Sequence, residues 1–287
     1  MTVYLVLLLT GIASGFLAGL LGIGGGFVTV PILILMLPEL GVDPGLVPKV
    51  AVATSLAAMI PTACSAVFAQ YRRGTLELDW VRRLTPAAAI GAVMGSQVAA
   101  AVSGRWVAIA FAIYVSFVVL KMLRSRAVES NDVCKAARIV GALPVPLVGV
   151  LIGAFASVAG VGGASLTVPF LLSARVEIKR ALAVSSAVGL SIAVAGSASF
   201  ASAASGSSEG AALFGLVHWP AALMIAATAT LLAPSGVSVA HTLQAVQLKR
   251  TFAALLVGAC AISLSKAANL TGVLDNAAPS VVAVATR

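Results

Sequence analysis

The sequence predicts an all-α polytopic membrane protein made of two inverted repeats. Each repeat is a glycine-broken re-entrant helix hairpin followed by three transmembrane helices. Three observations carry this reading. Of 287 residues, 60% are hydrophobic and 9% charged, with a mean hydropathy of +1.10, whereas soluble domains run near about 45–50% apolar and about 25% charged. Apolar segments of the length that spans a bilayer, about 20 residues, recur along the chain. A glycine–threonine–proline pattern also occurs twice, 138 residues apart. This composition excludes a soluble enzyme and a disordered chain.

The first apolar segment covers 2–21, and Met1 to Leu9 lack the basic stretch of a cleaved signal peptide, so it is expected to stay in the mature protein. Gly22, Gly24, Gly25 and Gly26 interrupt it, because glycine enters positive φ without steric cost. A short segment, 27–37, restarts with Pro31 placed near its first turn. About ten helical residues cross only half of a ~30 Å hydrocarbon core. Full-length segments follow at 50–69, 84–102 and 106–123. The second half repeats the order: 139–160, then Gly160, Gly162 and Gly163, a short 164–173 with Pro169, and 181–203, 211–233 and 250–266. The organisation is a first transmembrane repeat at 1–123, a cytoplasmic linker at 124–138, a second repeat at 139–266 and a C-terminal tail at 267–287.

The duplication rests on specific residues. A shift of 138 places Gly15 on Gly153, Gly22 on Gly160, Gly24 on Gly162, Gly25 on Gly163 and Thr29-Val30-Pro31 on Thr167-Val168-Pro169. At a shift of 130, Lys49, Ala51, Ala53 and Ser55 fall on Lys179, Ala181, Ala183 and Ser185. Three full crossings per half is an odd number, so the second half inverts relative to the first. With the linker in the cytoplasm, fourteen of eighteen Lys and Arg fall inside, and only Lys49, Arg105, Lys266 and Arg287 fall outside. That is the positive-inside pattern, and it puts both termini in the periplasm. A broken helix that crosses fully would move Lys179 and its neighbours outside and weaken the bias. The net charge of +9 is thereby a topological label rather than a sign of nucleic-acid binding.

Irregular backbone at membrane depth must be buried in protein or line a cavity. Each break opens a half-helix whose N-terminal amides and positive dipole end face the centre, which makes an anion site without a basic side chain. The candidate substrate-binding residues are Gly24, Gly25, Gly26 and Phe27 in the first break and Gly162, Gly163, Ala164 and Ser165 in the second. Thr54, Ser55, Ser185 and Ser186, early in the following spans, are candidate donors, against an equal claim for bonding within or between helices. Lys49 and Lys179 stand at matching vestibule positions, where snorkelling to the interface competes with anion attraction. Gly11, Gly15, Gly19, Gly149 and Gly153 are read as helix-packing residues instead. Gln97 is expected to face the protein interior, and His218, beside Trp219 and Pro220, to mark an interfacial helix start.

All nine carboxylates, from Glu39 to Asp275, fall in loops or the tail, which argues against a cation carrier. Cys64, Cys134 and Cys260 show neither pairing nor metal spacing, and no metal or cofactor is expected. There is no Gly-x-Ser-x-Gly elbow, His-Glu-x-x-His or Walker sequence, so the chain is read as a non-enzyme. Its expected partners are a small anion and the bilayer, with no nucleic acid, and a homo-oligomer is compatible.

Gly19-Leu-Leu-Gly22-Ile-Gly-Gly-Gly26-Phe-Val-Thr-Val-Pro31, Ala53-Thr54-Ser55-Leu56 and Gly160-Val-Gly-Gly163-x-x-x-Thr-Val-Pro169 resemble the sulfite exporter TauE/SafE (TSUP) family. The second motif departs at Ala164 and Ser165, where the first has Gly26 and Phe27. The resemblance runs from about residue 5 to 266 and implies secondary transport of a sulfur-containing anion across the bacterial inner membrane. Sulfite, sulfoacetate and other organosulfonates are the implied substrates, carried by alternating access. An anion channel of the same architecture and a non-transporting scaffold or assembly factor are the alternatives.

Overall fold

The computed structural model describes residues 2–22, 24–124, 144–203 and 213–242. Among these are nine α-helices: α1 Thr2–Leu21, α2 Gly26–Met36, α3 Val47–Arg72, α4 Leu78–Ala101, α5 Gly104–Arg124, α6 Val145–Val158, α7 Ala164–Ser173, α8 Ile178–Ser202 and α9 Trp219–Thr242. Five of them, α1, α3, α4, α8 and α9, are long and apolar enough to cross a membrane. The expected segment at 250–266 lies outside the described residues.

The two short segments form the short helices α2 and α7. Pro31 and Pro169 sit on the sixth residue of each, one turn later than expected, and both helices accommodate them. The residues before them, Gly25 and Gly163, are left-handed N-caps with φ of 79° and 69°. At each break the chain doubles back. A Cβ placed on Gly25 would stand 2.8 Å from the Ser14 carbonyl oxygen, and one on Gly163 would stand 3.2 Å from Ile152 Cγ2. A broken helix that ran straight on would carry Gly163 about 16 Å past Ile152. Pro48 and Pro146 open α3 and α6 in their first turns, where a missing N–H costs nothing.

One expected segment differs. The apolar stretch 211–233 begins not as helix but as a two-stranded antiparallel hairpin, Leu213–Phe214 with Val217–His218. Gly215 turns it at a φ of 64°, and α9 starts only at Trp219 and continues to Thr242 through Pro234.

The core sits along α3 and α8, each with 72% of its apolar window buried, while α1, α4 and α9 bury 44%, 44% and 39%. The remaining helices pack around this central pair in a reciprocal way. α1 lies along α9, and α4 lies along α6 and α8. Glycines let the backbones meet: a Cβ on Gly15 would strike the Ala229 carbonyl, and one on Gly153 would strike the Ala88 carbonyl. Large apolar side chains such as Leu9, Phe68, Met94, Ile113, Phe155 and Leu231 remain exposed on the outer faces, as an apolar solvent would require.

Candidate functional site

The two breaks meet. A Cβ on Gly26 would collide with the Gly160 carbonyl oxygen and stand 3.0 Å from Val161 Cα. The glycine at the head of α2 therefore permits direct backbone contact with the second break. The first intrahelical bonds of α2 run from Val28 and Thr29 to the Gly25 carbonyl, and those of α7 from Leu166 and Thr167 to the Gly163 carbonyl. The Thr29 and Thr167 hydroxyls return to the same carbonyls at 3.1 and 3.0 Å. Amides ahead of those bonds belong to no helical ladder and carry the partial positive charge of the helix end.

The central helices press on this junction from both sides. Ser55 of α3 donates to the Gly160 carbonyl at 3.1 Å. Its repeat mate Ser185 bonds back to Leu182 at 2.8 Å, and Ser186 does the same at 3.0 Å. Both serine oxygens face Gly22, whose hypothetical Cβ would stand 2.7 and 3.1 Å away. Gly24 packs on Met59 of α3, and the Gly162 carbonyl would stand 2.8 Å from a Cβ on Gly189 of α8. Ala164 is buried at the head of α7.

Two positions are aimed elsewhere. Thr54 accepts the His218 amide at 3.0 Å and so faces the hairpin. Lys49 donates to the Ala100 carbonyl at 2.8 Å, at the last turn of α4, where a cation satisfies a terminal carbonyl and the dipole. Lys179 is exposed at the start of α8. Gln97 is exposed rather than interior, although its amide donates to Ser199 at 3.0 Å. His218 stands at the start of α9, as expected, and is buried there, because the hairpin carries it inward against α3.

Two residues unremarked in the sequence complete the junction. Tyr114 of α5 stacks on Phe27, with ring centroids 5.9 Å apart and planes 15° apart. Its hydroxyl is hydrogen-bonded to Ser165. Met59 fills the space beside Gly24. A lone tyrosine in the apolar stretch 106–123 is the available signal for the first, and nothing marks the second.

Between Ala18, Gly22, Gly24, Ala63, Ala66, Ser186 and Gly189 lies a cavity holding about 10 Å³ for the centre of a water-sized sphere. At the 130-residue shift, Ser186 and Gly189 correspond to Leu56 and Met59, and the larger pair packs against Gly196 and Gly24. Among the described residues, no cluster of three or more His, Cys, Asp or Glu is placed to hold a metal ion.

Comparison with known proteins agrees with this architecture. The profile of the sulfite exporter TauE/SafE family matches residues 7–264. A "Probable membrane transporter protein" of Haemophilus influenzae is 30% identical over 260 residues, covering 89% of this chain and 96% of its own. Similarly named proteins of Methanocaldococcus jannaschii and Xylella fastidiosa are each 29% identical. The first alignment covers 64% of this chain and 67% of the relative, the second 56% and 59%. No solved structure matches the chain at a significant level.

Proposed function

The chain belongs to the sulfite exporter TauE/SafE family of membrane transporters, and from that premise we propose that it moves a small sulfur-containing anion, such as sulfite, sulfoacetate or another organosulfonate, across the bacterial inner membrane. The anion is held at the heads of α2 and α7, and alternating access exposes it to one side and then the other. The observation that carries this reading is the backbone contact of Gly26, the first residue of α2, with Gly160, which sets one helix N-terminus against the break that leads into the other. Helix N-termini bind anions through unsatisfied amides and the dipole. The absence of carboxylates from the predicted spans leaves that field uncancelled.

The reciprocal packing of α1 on α9 and α4 on α6 supports an inverted pair of repeats, with the chain reversals at Gly25 and Gly163 read as re-entrant hairpins. Rocking of one half against the other then opens the junction alternately. Flux of labelled sulfite into proteoliposomes, with and without a pH gradient, tests the reading. Saturable uptake that excess sulfoacetate or methanesulfonate inhibits is expected. Empty-vesicle rates for every sulfur oxyanion would remove it and leave the scaffold alternative.

A further inference from the structure

We propose that the seam between α3 and α8 holds both access routes to the junction, an assignment that rests on transport by alternating access. One route passes between Ala66 and Ser186, toward the Arg72 end of α3. The other leads toward the Lys49 end, and Leu56 closes it against Gly196. α3 ends at Arg72, and Arg180 in the first turn of α8 reaches Glu77 just beyond that end, so the two helices run in opposite directions. On the Lys49 side, a Cβ on Gly196 would stand 3.0 Å from Leu56 Cδ1, and Leu56 is fully buried. On the Arg72 side, Ala63 and Ala66 of α3 and Ser186 and Gly189 of α8 line the cavity, which extends to Gly22 and Gly24 of the first break. Along the helices, Ala66 lies about 9 Å from Arg72 and Ser186 about 9 Å from Arg180, whereas Leu56 lies about 10 Å from Lys49. The cavity and the leucine therefore occupy opposite halves of one seam.

The repeat makes these two places equivalent. A shift of 130 carries Leu56 onto Ser186, Met59 onto Gly189, Ala63 onto Ala193 and Ala66 onto Gly196. Exchanging the halves thus turns the Leu56–Gly196 contact into the Ser186–Ala66 gap. Five of the seven cavity-lining residues have a repeat mate that is Gly or Ala, so the difference between the two sides is confined to two side chains. Ser186 and Gly189 leave space where Leu56 and Met59 fill it. An anion moving toward the Arg72 end needs only a gap already present to widen. Toward the Lys49 end, Leu56 must withdraw from Gly196 and Met59 from Gly24. Both can do so by changing rotamer, methionine most easily because it is unbranched. The closure is fastened to the second break as well, since Ser55, the residue before Leu56, donates to the Gly160 carbonyl at 3.1 Å. A shift of that break against α3 therefore acts directly on the leucine, and packed elements of this kind switch between discrete arrangements.

Thiol accessibility in the full-length chain, with Cys64, Cys134 and Cys260 replaced by Ser, tests the assignment. Ala63→Cys and Ala193→Cys are repeat mates, one in each half of the seam. The probe is the small anionic reagent sulfonatoethyl methanethiosulfonate. Ala63→Cys is expected to react about tenfold faster than Ala193→Cys, because its side of the seam opens at lower cost. Adding Ser186→Leu, which copies the other half, is expected to remove that advantage. Adding Leu56→Ala is expected to raise the Ala193→Cys rate about tenfold and to leave Ala63→Cys unchanged. Equal rates at the two cysteines overturn the proposal, and this comparison needs no change at Leu56, so it stands even where Leu56→Ala does not fold. An Ala193→Cys rate that a folded Leu56→Ala variant leaves unaltered overturns it too. Sulfite flux in proteoliposomes separates this assignment from the transport reading. A wild type without flux of any sulfur oxyanion, but with the thiol difference intact, removes transport and supports the unequal seam. Flux with equal thiol rates removes the seam assignment and supports transport.

Discussion

His218 shows how one side chain couples a loop to a helix. Its backbone N–H donates to Thr54 Oγ1 at 3.0 Å, and its ring Nδ1 accepts the Ala221 N–H at 3.2 Å. The imidazole thus serves as the N-cap of α9, a role usually filled by Ser, Thr, Asp or Asn. Burial pushes its pKa below the ordinary value of 6.5. The unfolded chain therefore takes up the proton first as pH falls, and protonated Nδ1 can no longer accept the Ala221 amide. Stability contributed by this residue is present above about pH 6.5 and is lost on acidification below it. The melting temperature is expected to drop between pH 7.5 and 5.5 in the wild type. His218→Asn caps without titrating in this range and is expected to flatten that slope. A wild-type profile already flat over the interval would count against the role. Sequence alone places this histidine at a helix start because Trp and Pro follow it, whereas a buried capping imidazole leaves no local pattern to read. Tyr114 is illegible for a related reason. Its contacts, Phe27 and Ser165, lie 87 and 51 residues away in the chain, and only folding brings them together.

At the scale of elements, what is legible follows from chemistry that acts locally. Glycine clusters and the proline after each are short-range signals, so the breaks, the short helices α2 and α7 and their pairing as repeats can be read directly. The start of α9 cannot. Leu213 to His218 form a hairpin around Gly215 inside a stretch whose apolarity also suits a helix. The packing glycines are legible by type but not by partner. Gly153 shows what the partner adds: its hypothetical Cβ would strike the Ala88 carbonyl and stand 2.9 Å from the Ala92 amide nitrogen. Backbone atoms on a neighbouring helix cannot rotate away, so α6 and α4 would have to separate along their seam. Without a water-driven force between helices in lipid, such close approach is a main source of association. Gly153→Leu is expected to abolish recovery of folded, monodisperse protein by size-exclusion chromatography. Gly41→Leu is the comparison, because Gly41 has a φ of 82° and nothing within 4 Å of its hypothetical Cβ. It carries the cost of a left-handed backbone, about 1–2 kcal/mol, without the collision. Equal yields from the two variants would show that the seam tolerates separation.

At the scale of the whole molecule, charge and contact define the same two ends. Lys49 and Arg72 lie at opposite ends of one helix, α3. At the Arg72 end, Arg180 pairs with Glu77 at 2.7 Å and Arg73 donates to Ser238 at 2.8 Å, so the starts of α4 and α8 and the later part of α9 gather there. At the Lys49 end, Lys49 reaches Ala100, and Gly104 abuts Gly45. Arg72, Arg73, Arg82, Arg83, Arg175, Lys179 and Arg180 therefore share one end, while Lys49 and Arg105 share the other. The Arg180–Glu77 pair is solvent-exposed, where screening leaves an ion pair little net worth, so its information is positional rather than energetic. The positive-inside rule assigns the crowded end to the cytoplasm. Exposed positions near the helix ends probe this orientation. Ser103 is exposed at the Lys49 end and Asp79 at the Arg72 end. With Cys64, Cys134 and Cys260 replaced by Ser, a membrane-impermeant maleimide is expected to label Ser103→Cys in intact spheroplasts. Asp79→Cys is expected to react only after permeabilisation. The reverse pattern would invert the assigned orientation. Labelling of both from outside would mean that the two ends do not lie on opposite sides of a membrane, and the division of cations between them would then need another cause.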